Sequence, residues 1–339
     1  IGIWAPILLV VLRMVQGFST GGEYGGAATF MAEYSPDRKR GFFGSFLEFG
    51  TLAGFTLGAL VVLGTELVVG KEAMGEWGWR IPFLVGGPLG LVGLYLRTKV
   101  EDTPVFNELA ESDEAQEEYS STFKDLWRDY RRPLFALGGL VVALNVTNYT
   151  LLAYMPTYLE QKIDMSSKAS LTLIIIGQLL MMAVIPFSGR LSDRLGRKPM
   201  WWVSLGGLFV MAVPMYLLMA QGFVPALVGF AVLGLLYVLQ LSTISATFPA
   251  MFPTHVRFAG FAIAYNISTA LFGGTAPAFN EKLIALTGSD LVPAYSMMAA
   301  SAVGAVALLF VPETARASIR GTGVPGVDTE VKPLEPSRS

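Results

Sequence analysis

The sequence predicts an all-α polytopic membrane protein. Three observations carry that prediction. Nine apolar stretches follow one another along 339 residues, and about 20 mostly apolar residues suffice for a helix to cross the ~30 Å hydrocarbon core. Mean hydropathy is +0.54 and 53% of the residues are hydrophobic, more than an ordinary soluble domain carries. The 37 glycines lie mostly inside the apolar runs, where small residues let helices approach closely.

Each stretch is expected to be helical, because a helix satisfies its own backbone N–H and C=O groups in lipid. An ionisable side chain inside one is then a functional candidate. The first span, Ile3–Met31, holds Arg13, Gln16, Glu23 and Tyr24. Gln16 and Glu23 lie seven residues apart, nearly two turns, and so share a face. The second, Phe42–Val69, holds Glu48 some two turns in, then Gly50, Gly54 and Gly58 on a smooth packing face. Glu48 is either a proton site or a partner of the basic loop at 38–40. The third span is Ile81–Leu96, preceded by Trp77 and Trp79, which suit a membrane–water interface.

The fourth span, Leu134–Leu159, carries Asn145, Asn148 and Tyr149, spaced to line one face. The fifth and sixth, Leu171–Gly189 and Met200–Ala220, flank a basic loop, and Trp201 and Trp202 suit the inner interface. The last three are Phe223–Met251, Ala259–Ile284 and Val292–Val311. Gln178, Gln240 and Asn266 add one polar group each; singly, such a group suits a helix–helix hydrogen bond as well as a ligand.

Charge orients the chain. The loops 34–41, 97–133, 190–199 and 252–258 and the tail after 312 hold 18 of the 24 Lys and Arg. By the positive-inside bias they face the cytoplasm, and the acidic run Glu108–Glu118 counts little against it. The chain is thus expected to keep its C-terminus inside. Net charge is −2 and cysteine is absent, which argues against a nucleic-acid partner and excludes thiolate metal sites. Neither a phosphate-binding Gly-Lys-Ser/Thr loop, nor a nucleophile–base pair, nor a metal-ligand cluster is present, so no enzyme, cofactor or catalytic residue is expected. The one histidine, His255, reads as a turn residue.

The two halves echo each other. Tyr34-Ser-Pro-Asp-Arg-Lys-Arg-Gly-Phe42 ends the first span and Phe252-Pro-Thr-His-Val-Arg-Phe-Ala-Gly-Phe261 ends the seventh; Glu101 and Glu313 follow the third and ninth. The offsets are 217 (Pro36 to Pro253) and 212 (Glu101 to Glu313). They predict a parallel repeat of six-helix halves. Residues 134–312 make a complete six-helix bundle and 98–133 the inter-bundle loop. Residues 1–97 make a three-helix bundle that the repeat expects to be preceded by three more spans, and 313–339 a disordered tail.

The most specific motif is Gly189-Arg-Leu-Ser-Asp-Arg-Leu-Gly-Arg-Lys-Pro199. Its glycines permit a tight turn. Asp193 is placed to cap the following helix, and Arg194, Arg197 and Lys198 bring the opposite charge. The motif resembles the loop signature of the major facilitator superfamily, and Arg13-x-x-Gln16-Gly17 resembles that superfamily's fourth helix. Gln16-Gly-Phe-Ser19, Gly21-Gly-Glu-Tyr24, Trp77-Gly-Trp-Arg-Ile-Pro-Phe83 and Tyr154-Met-Pro-Thr-Tyr-Leu159 are similar to the metabolite:proton symporters, and within them to bacterial proline/glycine-betaine transporters.

The resemblance implies the major facilitator fold, here helices 4–12 of 12. It implies proton-coupled uptake of a small metabolite, a zwitterionic osmolyte such as proline or glycine betaine, by alternating access. Glu23 or Glu48 would carry the proton. Arg13, Gln16, Tyr24, Asn145, Asn148, Tyr149, Gln240 and Asn266 would line the substrate pathway. Gly189, Asp193, Arg194, Gly196, Arg197 and Lys198 would form a cytoplasmic gate. Two other readings stay open: an organic-acid carrier, and a non-transporting membrane subunit. The partners expected are a small-molecule substrate, the proton and the lipid bilayer, with the oligomeric state left open.

Overall fold

The computed structural model describes residues 4–97 and 122–319. Residues 1–3, the loop 98–121 with its acidic run, and the segment 320–339 lie outside the described residues; of the predicted disordered tail, 313–319 is described and is packed in place, with Thr314 and Ile319 buried. The described residues are helical throughout, without strands. The helices are α1 (Trp4–Tyr34), α2 (Arg40–Val69), α3 (Arg80–Arg97), α4 (Thr122–Asp129), α5 (Arg131–Asn148), α6 (Met155–Gln161), α7 (Ser167–Leu195), α8 (Arg197–Met219), α9 (Phe223–Leu241), α10 (Thr254–Ser268), α11 (Ala276–Thr287) and α12 (Val292–Leu308).

All nine apolar stretches are helical, but three are broken; the seventh, 223–251, is interrupted by a turn at Ser242 and Thr243 before a short helix, Ile244–Thr247. The stretch 259–284 spans the end of α10, a π-helical segment Thr269–Gly273 and then α11. Gly273 and Gly274 weaken the helix there, and Pro277 cannot donate an intrahelical bond. The fourth stretch runs on through a π segment, Tyr149–Tyr154, that joins α5 to α6. Among the described residues, 37–69, 131–161, 167–195, 197–219 and 223–247 meet the length and hydropathy of a membrane span. Arg80–Tyr95 and Val292–Leu308 are shorter apolar helices, so the expectation that every stretch is long enough holds only in part.

Helices α2 and α7 run antiparallel against each other over their whole length. At one end Gly41 and Gly189 touch; a Cβ on Gly189 would fall 2.7 Å from Ser45 Cβ. Midway, Thr56 Oγ1 donates to Gln178 Oε1 at 3.1 Å, a helix–helix hydrogen bond of the kind expected for a lone amide. At the far end Ser167 Oγ donates to Glu66 Oε2 at 2.8 Å. Helices α1 and α10 form a second antiparallel pair. Gly17 admits the backbone of Thr269 and Ala270, at 3.3 Å from where a Cβ would lie, and Glu33 meets Arg257.

The sequence repeat has a structural counterpart at the end that carries the basic loops. Arg40 Nε donates to the carbonyl of Ala32, and Arg257 Nε to that of Pro249, each eight residues back. Both donors and both acceptors are separated by the 217-residue offset that joins Pro36 to Pro253. Each guanidinium also holds the final described segment: Arg40 Nη1 bonds Ala317 O at 3.1 Å and Arg257 Nη2 bonds Ile319 O at 2.5 Å. Arg257 is 1% exposed and pairs with Glu33, 8% exposed, at 3.0 Å. Removing one member of a buried ion pair costs ~3–5 kcal/mol. Arg257→Ala is therefore expected to lower the melting temperature of the detergent-solubilised chain markedly. Arg257→Lys should recover only part of the loss, since one ammonium cannot reproduce the guanidinium's fork. A wild-type melting curve for Arg257→Ala would refute the role.

The aromatic residues divide in an unforeseen way. Trp77 and Trp79 are exposed, as an interfacial belt requires, with the Arg80 guanidinium 4.4 Å from the Trp79 ring. Trp202 is exposed too. Trp201, expected beside it at the interface, is fully buried and packs on Phe248 at 5.7 Å. Adjacent residues on a helix point about 100° apart, so one faces the core when the other faces out.

Candidate transport site and gate

Helices α1, α2, α9 and α10 bring a carboxylate and several tyrosines together. Glu48, in the cytoplasm-proximal turns by the sequence reading, is 2% exposed on α2. Tyr24 of α1 donates its hydroxyl to Glu48 Oε1. The Tyr24 ring stacks on Tyr265 of α10, centroids 4.7 Å apart and planes 13° apart. Phe261 meets both rings edge-on, at 6.3 and 5.4 Å. The basic loop does not reach Glu48: Arg40 pairs with Asp37 instead. The alternative partner expected for Glu48 is thus replaced by a tyrosine on another helix.

The amide cluster splits between two neighbours. Asn145 Nδ2 donates to Thr269 Oγ1 at 2.9 Å, while Asn148 Oδ1 accepts from the Tyr237 hydroxyl of α9 at 3.1 Å. Tyr149 opens the first π segment and lies against the second: a Cβ on Gly273 would come within 2.8 Å of its ring. Two π segments in contact are notable because such segments recur at functional sites. Gln240 is fully buried, and among the described residues neither of its amide atoms has a hydrogen-bond partner; Asn266 Oδ1 likewise has none. Buried polar atoms are nearly always paired, so these two amides have capacity to spare for a ligand.

Gln16 and Glu23 are both exposed, on one face of α1 as their spacing predicts, and each makes a polar or electrostatic contact. The side chains of Arg13 and His255 lie outside the described set. Toward the end opposite the basic loops, α2, the π segment with α6, and α7 line an open groove of about 530 Å³. Thr51, Phe55, Ala59, Leu152, Pro156 and Gln178 are among its walls.

At the basic end, the 189–198 loop works differently from its sequence expectation. Asp193 lies inside α7, in its last turn, and does not cap the helix that follows. Its two carboxylate oxygens accept the backbone N–H of Gly41 at 2.8 Å and of Phe42 at 2.9 Å, across the seam at the start of α2. Arg197 returns to pair with Asp193 at 2.7 Å. The start of α8 is capped instead by Glu313, which accepts from the N–H of Arg197 at 2.9 Å and of Lys198 at 3.0 Å. Gly196 turns the chain at φ +105°, where a side chain would be strained and would also strike Glu313. Arg194 is exposed, and its carbonyl accepts from Arg316 Nη2 at 3.2 Å.

Sequence reasoning overlooked Tyr237, Tyr265, Glu66 and Glu313. Arg257 was legible: carrying Arg40 forward by the repeat offset lands on it. The tyrosines sit singly in apolar helices with no spacing to mark them.

The Major Facilitator Superfamily model matches residues 1–277. The chain belongs to the Major Facilitator Superfamily. Within this superfamily it is 41% identical to the ectoine/proline transporter ProP of Corynebacterium glutamicum, over 99% of this chain and 69% of that protein. It is 42% identical to the proline/betaine transporter of Escherichia coli K12 and to the glycine betaine/proline/ectoine/pipecolic acid transporter OusA of Dickeya dadantii. Each of those alignments covers 95% of this chain and 65% of the relative. The chain therefore spans about two thirds of the length of these curated relatives. Among solved structures, the proton:xylose symporter XylE superposes with a TM-score of 0.63 at 19% identity, over 86% of this chain and 68% of that one. That likeness supports the fold alone. As a member of this superfamily the chain is a multi-pass membrane protein of transport, not an enzyme.

Proposed function

We propose that this chain serves proton-coupled uptake of a small zwitterionic osmolyte, of the class of proline, glycine betaine or ectoine. The relatives' names supply the substrate class, and the buried Glu48 supplies the chemistry. A carboxylate is costly inside a membrane and is commonly a proton relay there. In this reading Glu48, held by Tyr24, takes up a proton in one state and releases it in the other; Glu23 is the alternative carrier. Residues 1–97 and 134–312 act as two bundles that rock around a midplane site. Gln16, Asn145, Asn148, Tyr149, Gln240, Asn266 and Arg13 belong to the substrate pathway. The ring faces of Tyr24 and Tyr149 suit a quaternary ammonium, which is drawn to the negative face of an aromatic ring.

The gate in this reading is the grip of Asp193 on the start of α2, with Gly189, Arg194, Gly196, Arg197 and Lys198 holding its shape. The basic loops and the C-terminus face the cytoplasm, and the membrane is a bacterial inner membrane. Uptake driven by an inward proton gradient, measured in proteoliposomes, tests the substrate class. Unlabelled glycine betaine, proline or ectoine should compete for labelled proline, and citrate should not. Competition by citrate without competition by betaine would replace the osmolyte reading with an organic-acid carrier.

A further inference from the structure

The antiparallel pair α2 and α7 is fastened at both ends by related devices. At the basic end a carboxylate from the last turn of α7, Asp193, holds the first turn of α2. At the opposite end a carboxylate from the last turn of α2, Glu66, receives the hydroxyl of Ser167, the first residue of α7. In each case the acidic residue of one helix sits at the N-terminal end of its partner, where the helix dipole favours negative charge. Glu66 is 4% exposed and Ser167 is half-buried, so the bond between them is partly shielded from water. Glu160 of α6, which also shares a hydrogen bond with Ser167, and Lys71 beyond α2 are charged groups that face this corner. The 530 Å³ groove begins one turn below, at Leu171, and runs past the Thr56–Gln178 bond to Thr51.

We propose that Glu66 and Ser167 form the latch of a second gate, closing the seam between α2 and α7 at the end opposite the basic loops. The proposal rests on the two-gated transport reading. It adds to that reading a pair of positioning residues that touch neither substrate nor proton. Opening on this side parts Ser167 from Glu66 and widens the groove toward the aqueous phase at this end. Closing restores the bond. In the alternating-access reading this end opens while the Asp193 end holds, and the reverse.

The absence of cysteine makes the test direct. A single Ala59→Cys substitution places a thiol on the groove wall. Its alkylation by a membrane-impermeant maleimide, in proteoliposomes of the whole chain, reports access from each side. On the Ala59→Cys background, Ser167→Ala and Glu66→Ala should each raise the labelling rate from the side opposite the basic loops by about tenfold, the worth of one lost buried hydrogen bond. The double variant should gain nothing more, since both changes break the same bond. Ser167→Thr, which keeps the hydroxyl, should label like the parent. Melting curves identify any variant that does not fold, and Ser167→Ala decides alone if Glu66→Ala fails. Unchanged labelling in folded Ser167→Ala, or additive gains in the double variant, would overturn the latch. No substrate is needed, so a failure of the osmolyte assay leaves this result readable, and the converse also holds.

Discussion

Glu48→Gln is expected to abolish accumulation driven by a proton gradient. One pH unit is worth about 1.4 kcal/mol per coupled proton, a tenfold concentration ratio. Proteoliposomes with a one-unit inward gradient should therefore concentrate substrate about tenfold with the parent protein, for one proton per cycle, and not at all with Glu48→Gln. Exchange of labelled for unlabelled substrate, which needs no net proton movement, should survive, because the amide keeps the shape of the carboxyl and can still meet Tyr24. Tyr24→Phe is the companion test. It deprives the buried carboxylate of its hydroxyl donor and should weaken the coupled rate while leaving some accumulation, since Glu48 itself remains. If Glu48→Gln accumulates substrate normally and Glu23→Gln does not, the proton role passes to Glu23.

Asp193→Ala is expected to have the largest effect on the closed basic end. The substitution strips acceptors from Gly41 N–H, Phe42 N–H and the Arg197 guanidinium together. Arg197 is 1% exposed, and a buried charge left without its partner costs ~3–5 kcal/mol. The folded chain should lose thermal stability by a corresponding amount. A thiol placed at the buried Ser45, which lies against Gly189, should become open to alkylation from the basic side. Asp193→Asn keeps one acceptor oxygen and should fall between the two. Labelling of Ser45→Cys that does not respond to Asp193→Ala would show that Asp193 is a stabilising contact and not a gate.

Particular residues show where sequence reading works and where it stops. The nine apolar stretches needed only hydropathy, because the bilayer imposes helix on any run that must satisfy its own backbone. The repeat was legible because Pro36 and Pro253 stand in similar turns, and the 217-residue offset carries over to the Arg40 and Arg257 bonds. Asp193 was recognised as important but given the wrong partner. Local spacing favours a cap on the next helix, whereas its carboxylate crosses to a helix some 150 positions earlier. The partner that the sequence offered Glu48, as the alternative to a proton role, was the nearby basic loop for the same reason. Its partner Tyr24 and the stacked Tyr265 come from helices whose proximity no local pattern records. Trp201 and Trp202 look alike in sequence and differ in burial because only one of them faces α9 and its following turn.

The sequence by itself determined the class, the helical spans, the repeat and the family, since each of these depends on composition, period or motif within a short window. Only the tertiary structure decided which groups meet. The α2–α7 seam, with Asp193 at one end and Glu66 at the other, joins residues more than a hundred positions apart. So does the nest of Tyr24, Tyr265 and Phe261 beside Glu48. Such pairings follow from how whole helices pack, and packing is set by the shape of many side chains at once rather than by any one stretch of chain.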